Sequence, residues 1–253
     1  MPESNLFPDT KQQAVHKAMI LAAGLGTRLK PFTDKHPKAL ALVNGKSLLQ
    51  RNIEYLQQYG IRNVIVNTHH FAEQIEEAVV SNHGWGSDIT ISYERDVLET
   101  GGGLQFASRY LQTEENFVLI NADVLTNLPL HEMKAQHIQN KPLATLAVSH
   151  RSTSRYLLFT DNNELCGWRN MKTGEVKIAK ESASYHEKAF SGIHVINQRI
   201  FELMHAFNGK FSIIDVYLKL AAMQSIQGFA HNEYLFTDVG KPESITIAES
   251  LFK

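Results

Sequence analysis

Two periods of hydrophobic residues alternate along this chain. Short continuous apolar runs predict strands at Ala18–Ala23, at Asn63–Thr68 around Val64-Ile65-Val66, at Ile89–Tyr93, at Phe117–Ile120 and at Leu143–Val148. Between them the apolar residues recur every three or four positions, which predicts helices. Leu49, Ile53 and Leu56 mark one over Leu48–Tyr59, and Ile75 and Val79 mark another over Phe71–Val80. Leu104–Leu111 and His131–Gln139 read as two more. Strands that are apolar throughout and alternate with amphipathic helices predict a mostly parallel sheet covered on both faces. Past this region the rhythm changes. Leu157–Thr160, Leu165–Trp168 and Val176–Ile178 read as short antiparallel strands, separated by Asp161-Asn162-Asn163 and Lys172-Thr173-Gly174.

Composition narrows the classes of function. The 253 residues are 43% hydrophobic and 20% charged, with a formal net charge of -1, so no global field draws nucleic acid or an anionic membrane. A single cysteine, Cys166, excludes an internal disulfide and a cysteine-rich metal site. The first seventeen residues carry Glu3 and Asp9 in place of an uninterrupted hydrophobic signal, and no later run reaches membrane-spanning length. A cytoplasmic location is the resulting expectation. His69-His70 lie outside any HExxH or Cys/His spacing, and Ser191 has no GxSxG elbow around it, so zinc and covalent hydrolase chemistry have no motif to rest on.

The candidate chemistry sits at strand ends. The first strand runs into Leu21-Ala22-Ala23-Gly24-Leu25-Gly26-Thr27-Arg28, where two glycines allow backbone amides to curve around an anion and an arginine supplies a cation. Neither the GxxxxGK[ST] nor the GxGxxG pattern fits this loop. Lys38 follows in His36-Pro37-Lys38-Ala39-Leu40. Asp123 follows the strand Phe117–Ile120, at the rim where ligands collect in open α/β sheets. Asp238 stands in Phe236-Thr237-Asp238-Val239-Gly240 and could cap a turn, or share a magnesium ion with Asp123. Glu99-Thr100-Gly101-Gly102-Gly103 precedes a helical segment, and three successive glycines suggest close approach to the backbone.

These motifs together resemble one family. LAAGxGTRLxPxT followed by PKxLxxVxGKxLL, spanning Leu21 to Leu49, is similar to the signature of sugar-1-phosphate nucleotidyltransferases. The resemblance implies a three-layer, Rossmann-like α/β nucleotidyltransferase fold with a mostly parallel central sheet and a small antiparallel sugar-side subdomain at roughly 150–195. Residues 1–17 are then an N-terminal extension and 18–253 a single catalytic domain. By the same resemblance Leu21, Ala22, Ala23, Gly24, Gly26, Thr27 and Arg28 wrap the triphosphate, and Arg28 meets the departing pyrophosphate. Lys38 contacts phosphate, Asp123 and Asp238 hold one Mg2+, and Glu99, Thr100, Gly101, Gly102 and Gly103 enclose the base and ribose. Phe190-Ser191-Gly192-Ile193-His194-Val195 resembles a sugar-facing strand, where Gly192 could let a sugar approach the backbone; Glu187 either accepts sugar hydroxyl hydrogen bonds or stands solvated at the surface.

One departure stands out. Many relatives carry an EKP segment whose lysine touches the sugar phosphate, whereas this chain offers Val176-Lys177-Ile178-Ala179-Lys180-Glu181 and later Glu187-Lys188; neither aligns with that segment, and Lys180 is the candidate carried forward. Without hexapeptide repeats, the layout resembles the stand-alone N-acetylmuramate-1-phosphate uridylyltransferases and the mannose-1-phosphate guanylyltransferase-like proteins, which favours UTP or GTP with a sugar 1-phosphate. Two other readings remain open in the sequence: cytidylyl transfer to an acceptor such as phosphocholine, and a non-catalytic nucleotide-sugar sensor. Monomer and dimer are both open as well.

Overall fold

A computed structural model describes residues 15–253, so most of the expected N-terminal extension lies outside the described residues. The strands, in chain order, are β1 (Lys17–Leu21), β2 (Leu42–Val43), β3 (Lys46–Ser47), β4 (Asn63–Thr68), β5 (Asp88–Tyr93), β6 (Asn116–Asn121) and β7 (Val124–Thr126). They continue with β8 (Ala144–Ser149), β9 (Arg155–Phe159), β10 (Leu165–Asn170), β11 (Val176–Ile178), β12 (His186–Asn197), β13 (Ile226–Ala230) and β14 (Phe236–Asp238). The helices are α1 (Leu48–Gln58), α2 (Ala72–Ser81), α3 (Glu99–Phe106), α4 (Ser108–Leu111), α5 (Leu130–Asn140), α6 (Ile200–Met204), α7 (Ile213–Leu220) and α8 (Pro242–Leu251). None of them is long and apolar enough to cross a membrane.

The sheet explains the apolar runs. β1 lies between β4 and β6 and is parallel to both, and β5 extends the parallel set beyond β4. Successive side chains of a strand point to opposite faces. Ala18, Ile20, Val64, Val66, Val118 and Ile120 therefore enter one core with Leu49, Ile53 and Leu56 of α1, Ile75 of α2 and Met133 of α5. Met19, Ile65, Phe117 and Leu119 enter the other with Leu104 of α3, Met204 of α6 and Val216 and Tyr217 of α7. Covered on both faces, these strands have no polar side to display.

The sheet is mixed beyond β6. The twelve-residue strand β12 runs antiparallel to β6, β8 and β9, and the antiparallel ribbon continues through β10 to β11, while β13 joins β8 in parallel. Parallel neighbours need a long crossover, whereas short turns such as the one between β9 and β10 return the chain antiparallel. The ribbon is continuous with the main sheet through β12.

A third, smaller core fixes the loops at the carboxyl rim. Leu29 from the glycine-rich loop packs there with Val43 and Leu48, with Leu125 of β7, with Val239 just after β14 and with Ala248 of α8. The segments bearing Arg28, Asp123 and Asp238 thus share one apolar anchor, although they come from opposite ends of the chain.

Candidate active site

β1 delivers the glycine-rich loop to the rim. There Asn67, at the end of β4, accepts a 2.7 Å hydrogen bond from the Ala22 amide and so fixes where the loop leaves the sheet. Gly26 adopts a left-handed conformation at φ 61, and a Cβ on it would lie 2.8 Å from the Thr33 methyl and 3.0 Å from Lys38 Cβ. No side chain could be built there without displacing the turn that carries Lys38. Thr33 closes this turn by donating its hydroxyl to the Gly26 carbonyl at 3.0 Å. A Cβ on Gly24 would meet no atom within 4 Å, so the backbone at this glycine faces open space.

The loop borders a cleft of about 430 Å³, lined by Leu21, Ala22, Ala23, Gly24, Gly26, Thr27 and Arg28. Lys38, Glu99, Thr100, Asn121, Asp123, Ser212 and Gly240 complete much of its wall. Lys38 forms an ion pair with Asp123 inside the cleft, where both side chains are largely covered. The short β7–β14 ladder pairs Asp238 with Val124, and the Val239 amide donates to the Asp123 carbonyl at 2.8 Å. Two aspartates more than a hundred residues apart are thereby carried on adjoining backbone.

The electrostatics register that convergence. Asp238 is exposed at the rim by surface area, yet the protein crowding its carboxylate desolvates it, and with the negative charge of Asp123 this raises its pKa above the usual aspartate value. Lys38, Arg28 and Arg151 pull in the opposite direction. A Cβ on Gly240 would sit 2.6 Å from Asp238 Oδ1 and 2.9 Å from Arg28 Nη2, so this glycine leaves the carboxylate and guanidinium room to converge.

The other predicted residues divide. Glu99 and Thr100 reach the cleft, and the Thr100 hydroxyl also accepts a 3.0 Å hydrogen bond from the Ile213 amide, which ties α3 to α7. Gly101, Gly102 and Gly103 are buried inside α3 and do not line the cleft. What approaches their backbone is protein: the Phe211 ring at Gly101, the Gly209 carbonyl at Gly102, and Asn67 with Glu94 at Gly103. Gly192, at φ 71, lies where the β12–β8 register shifts, and a Cβ there would be 2.7 Å from the Asn121 amide nitrogen. Its close neighbour is thus the cleft residue Asn121. Lys180 pairs with Glu164 at 2.8 Å and Glu187 with Arg169 at 2.6 Å, which engages both on the antiparallel ribbon, away from the cleft lining.

Sequence reasoning missed Asn67 and Glu94. Glu94 is buried, and burial raises its carboxyl pKa; Asn67 donates to it at 2.6 Å and the Leu98 amide at 3.1 Å. The pair links the glycine-rich loop to the start of α3, on opposite sides of the cleft. Polar residues within or just past apolar strands, as in Asn63–Thr68, were the available signal. Ser212, which caps α7, gave none.

A mixed sheet whose parallel strand ends carry a glycine turn, two aspartates on adjoining backbone and two cations is an arrangement that suits phosphorylated ligands. The chain belongs to the nucleotidyl transferase family, whose model matches residues 17–252. It is 32% identical over 238 residues to a D-glycero-alpha-D-manno-heptose 1-phosphate guanylyltransferase of Aneurinibacillus thermoaerophilus, covering 92% of this chain and 96% of that protein. It is 30% identical over 252 residues to an N-acetylmuramate alpha-1-phosphate uridylyltransferase of Caulobacter vibrioides, covering 94% of this chain and 97% of the relative. Among solved structures, HddC from Yersinia pseudotuberculosis in complex with GMP-PN shares the fold at a TM-score of 0.74 and 23% identity, covering 94% of this chain and 100% of that one. The inositol-1-phosphate CTP transferase from T. maritima does so at 0.75 and 19%, covering 95% and 96%.

Proposed function

We propose that this protein transfers a nucleoside monophosphate from a nucleoside triphosphate to a sugar 1-phosphate, forming an NDP-sugar and releasing pyrophosphate. The observation that carries this reading is the meeting of Arg28, Lys38 and Asp123 in one cleft, with Asp238 held beside Asp123 by the β7–β14 ladder. The guanylyl- and uridylyltransferase relatives favour GTP or UTP as the donor.

The chemistry asks for alignment and charge neutralisation. The attacking oxygen of a sugar 1-phosphate is already anionic near neutral pH, so no strong general base is required, and the barrier lies in bringing two anions together in line. Amides of the Gly24–Gly26 turn cradle the triphosphate, Arg28 stabilises charge moving onto pyrophosphate, and Lys38 exchanges part of its contact with Asp123 for phosphate oxygen. Asp123 and Asp238, carried on adjoining backbone, offer the carboxylate oxygens that a hard divalent cation takes, with Lys38 now paired to Asp123. These two residues would hold Mg2+, which when bound would supply positive charge against the negative charge of the phosphates.

Asp123→Asn and Asp238→Asn test this assignment. Each is expected to lower kcat by about a hundredfold or more, in the range seen when one electrostatic stabiliser of a transition state is removed, while the cooperative melting transition is retained. Turnover at the wild-type rate in either variant contradicts the assignment.

A further inference from the structure

The sequence supplies no EKP lysine; Lys180 is engaged with Glu164, and Lys188 donates to Asn163 Oδ1 at 2.8 Å. A different cation, itself outside the cleft lining like Lys180, stands near Asp238. Arg151 lies two residues beyond the end of β8, where β8 runs beside β12 with Phe190 paired to Val148. Its guanidinium donates from Nη2 to the Phe190 carbonyl at 2.6 Å and lies over the Phe236 ring, 4.8 Å from the centroid. Phe236 and Asp238 are two residues apart on β14 and so project to the same face of that strand. Arg151 therefore sits on the Asp238 face, and the charges of the two residues influence one another.

The guanidinium is also underused. It has five N–H donors in a planar fork. Among the described residues it forms no ion pair within 4.0 Å, and its Nε is buried without a hydrogen-bond partner. That nitrogen is closed to solvent and beyond a ligand's reach, but the side chain as a whole is only partly buried and just one of its terminal nitrogens is engaged, with Phe190. Packing over Phe236 and the bond to Phe190 hold the fork in place, and its strongest geometric match is a tetrahedral anion or carboxylate.

We propose that Arg151 binds the phosphate of the acceptor substrate, in place of the lysine that the sequence lacks. This rests on the transfer reading above. The arginine holds the incoming phosphate from the β8–β12 side while Arg28 and Lys38 hold the nucleotide from the glycine-loop side, so each reactant has its own cation.

The test compares the wild-type chain with Arg151→Gln and Arg151→Lys, using pyrophosphate release with magnesium and the nucleotide and sugar 1-phosphate pair that the wild type turns over. Arg151→Gln is expected to raise the KM for the sugar 1-phosphate about tenfold or more, the loss of a charged hydrogen bond, while the KM for the nucleotide stays within about twofold. Arg151→Lys recovers part of the difference, and carries the comparison alone should the glutamine variant fail to fold. An unchanged sugar 1-phosphate KM, or an equal rise for both substrates, overturns the proposal. If the wild type turns over no pair, the transfer reading fails, and calorimetric titration with inorganic phosphate decides the role of Arg151. Phosphate binding that weakens about tenfold in Arg151→Gln sustains an anion site, whereas equal binding, or none to the wild type, overturns it.

Discussion

Gly103 shows how a single residue can serve the site without touching a ligand. A Cβ there would collide with Glu94 and Asn67, two buried side chains bonded to each other at 2.6 Å. Neither is a free end that can swing away, because Asn67 also receives the Ala22 amide and Glu94 the Leu98 amide. Gly103→Ala is expected to destabilise the fold by about 1–3 kcal/mol, the usual cost of overpacking. The displaced Asn67 should also loosen the glycine-rich loop and raise the KM for the nucleotide. Urea unfolding and steady-state kinetics check both; a variant as stable as the wild type with unchanged KM contradicts the account. The sequence marked these glycines as places of close approach, and the approach exists. It comes from Phe211, Gly209, Asn67 and Glu94, which only the tertiary fold brings near.

At the scale of elements, local signals were legible and pairings were not. The runs Val64-Ile65-Val66 and Phe117–Ile120 lie in β4 and β6, and the period of Leu49, Ile53 and Leu56 corresponds to α1. A run that is apolar on both faces has the same pattern whether its neighbour is parallel or antiparallel, so the reversal at β12 was invisible. α3 begins at Glu99, before the Leu104 suggested by pattern, because protein packed around its glycines offsets their poor helix propensity. The loop and Asp123 stood out because each follows an apolar strand, whereas Lys38 and Asp238 were singled out through their likeness to the family signature. The cation Arg151 was not, since its place depends on the segment after β8 bringing its side chain over Phe236 of β14.

For the whole molecule, buried histidines set the acid limit. His137, His194 and His231 are all buried, and desolvation lowers their pKa values from 6.5 to about 4, 3 and 4. Between these values and 6.5 the unfolded chain binds protons that the folded one does not, so this contribution to stability is full above about pH 6.5 and is lost as pH falls. Each unit of depressed pKa corresponds to about 1.4 kcal/mol. Glu94 and Asp238, whose pKa values are raised, act in the opposite sense just above the ordinary carboxylate range and offset part of the loss. The melting temperature is therefore expected to decline as pH is lowered from about 6.5 toward 4.5, by several degrees for each kcal/mol. A melting temperature that stays constant over that interval contradicts the neutral, buried state of these three rings.

The parallel half of the sheet, the small core under Leu29 and Val239, and the β7–β14 ladder together assemble one cleft from distant parts of the chain, to which the proposed function assigns the phosphates. Pyrophosphate release, measured with magnesium across the five common nucleoside triphosphates, a set of sugar 1-phosphates and phosphocholine, tests that conclusion most directly. The account predicts release with one sugar 1-phosphate and GTP or UTP, and none when either substrate is omitted. Release only with CTP and phosphocholine, or nucleotide binding with no release across the whole panel, would contradict it.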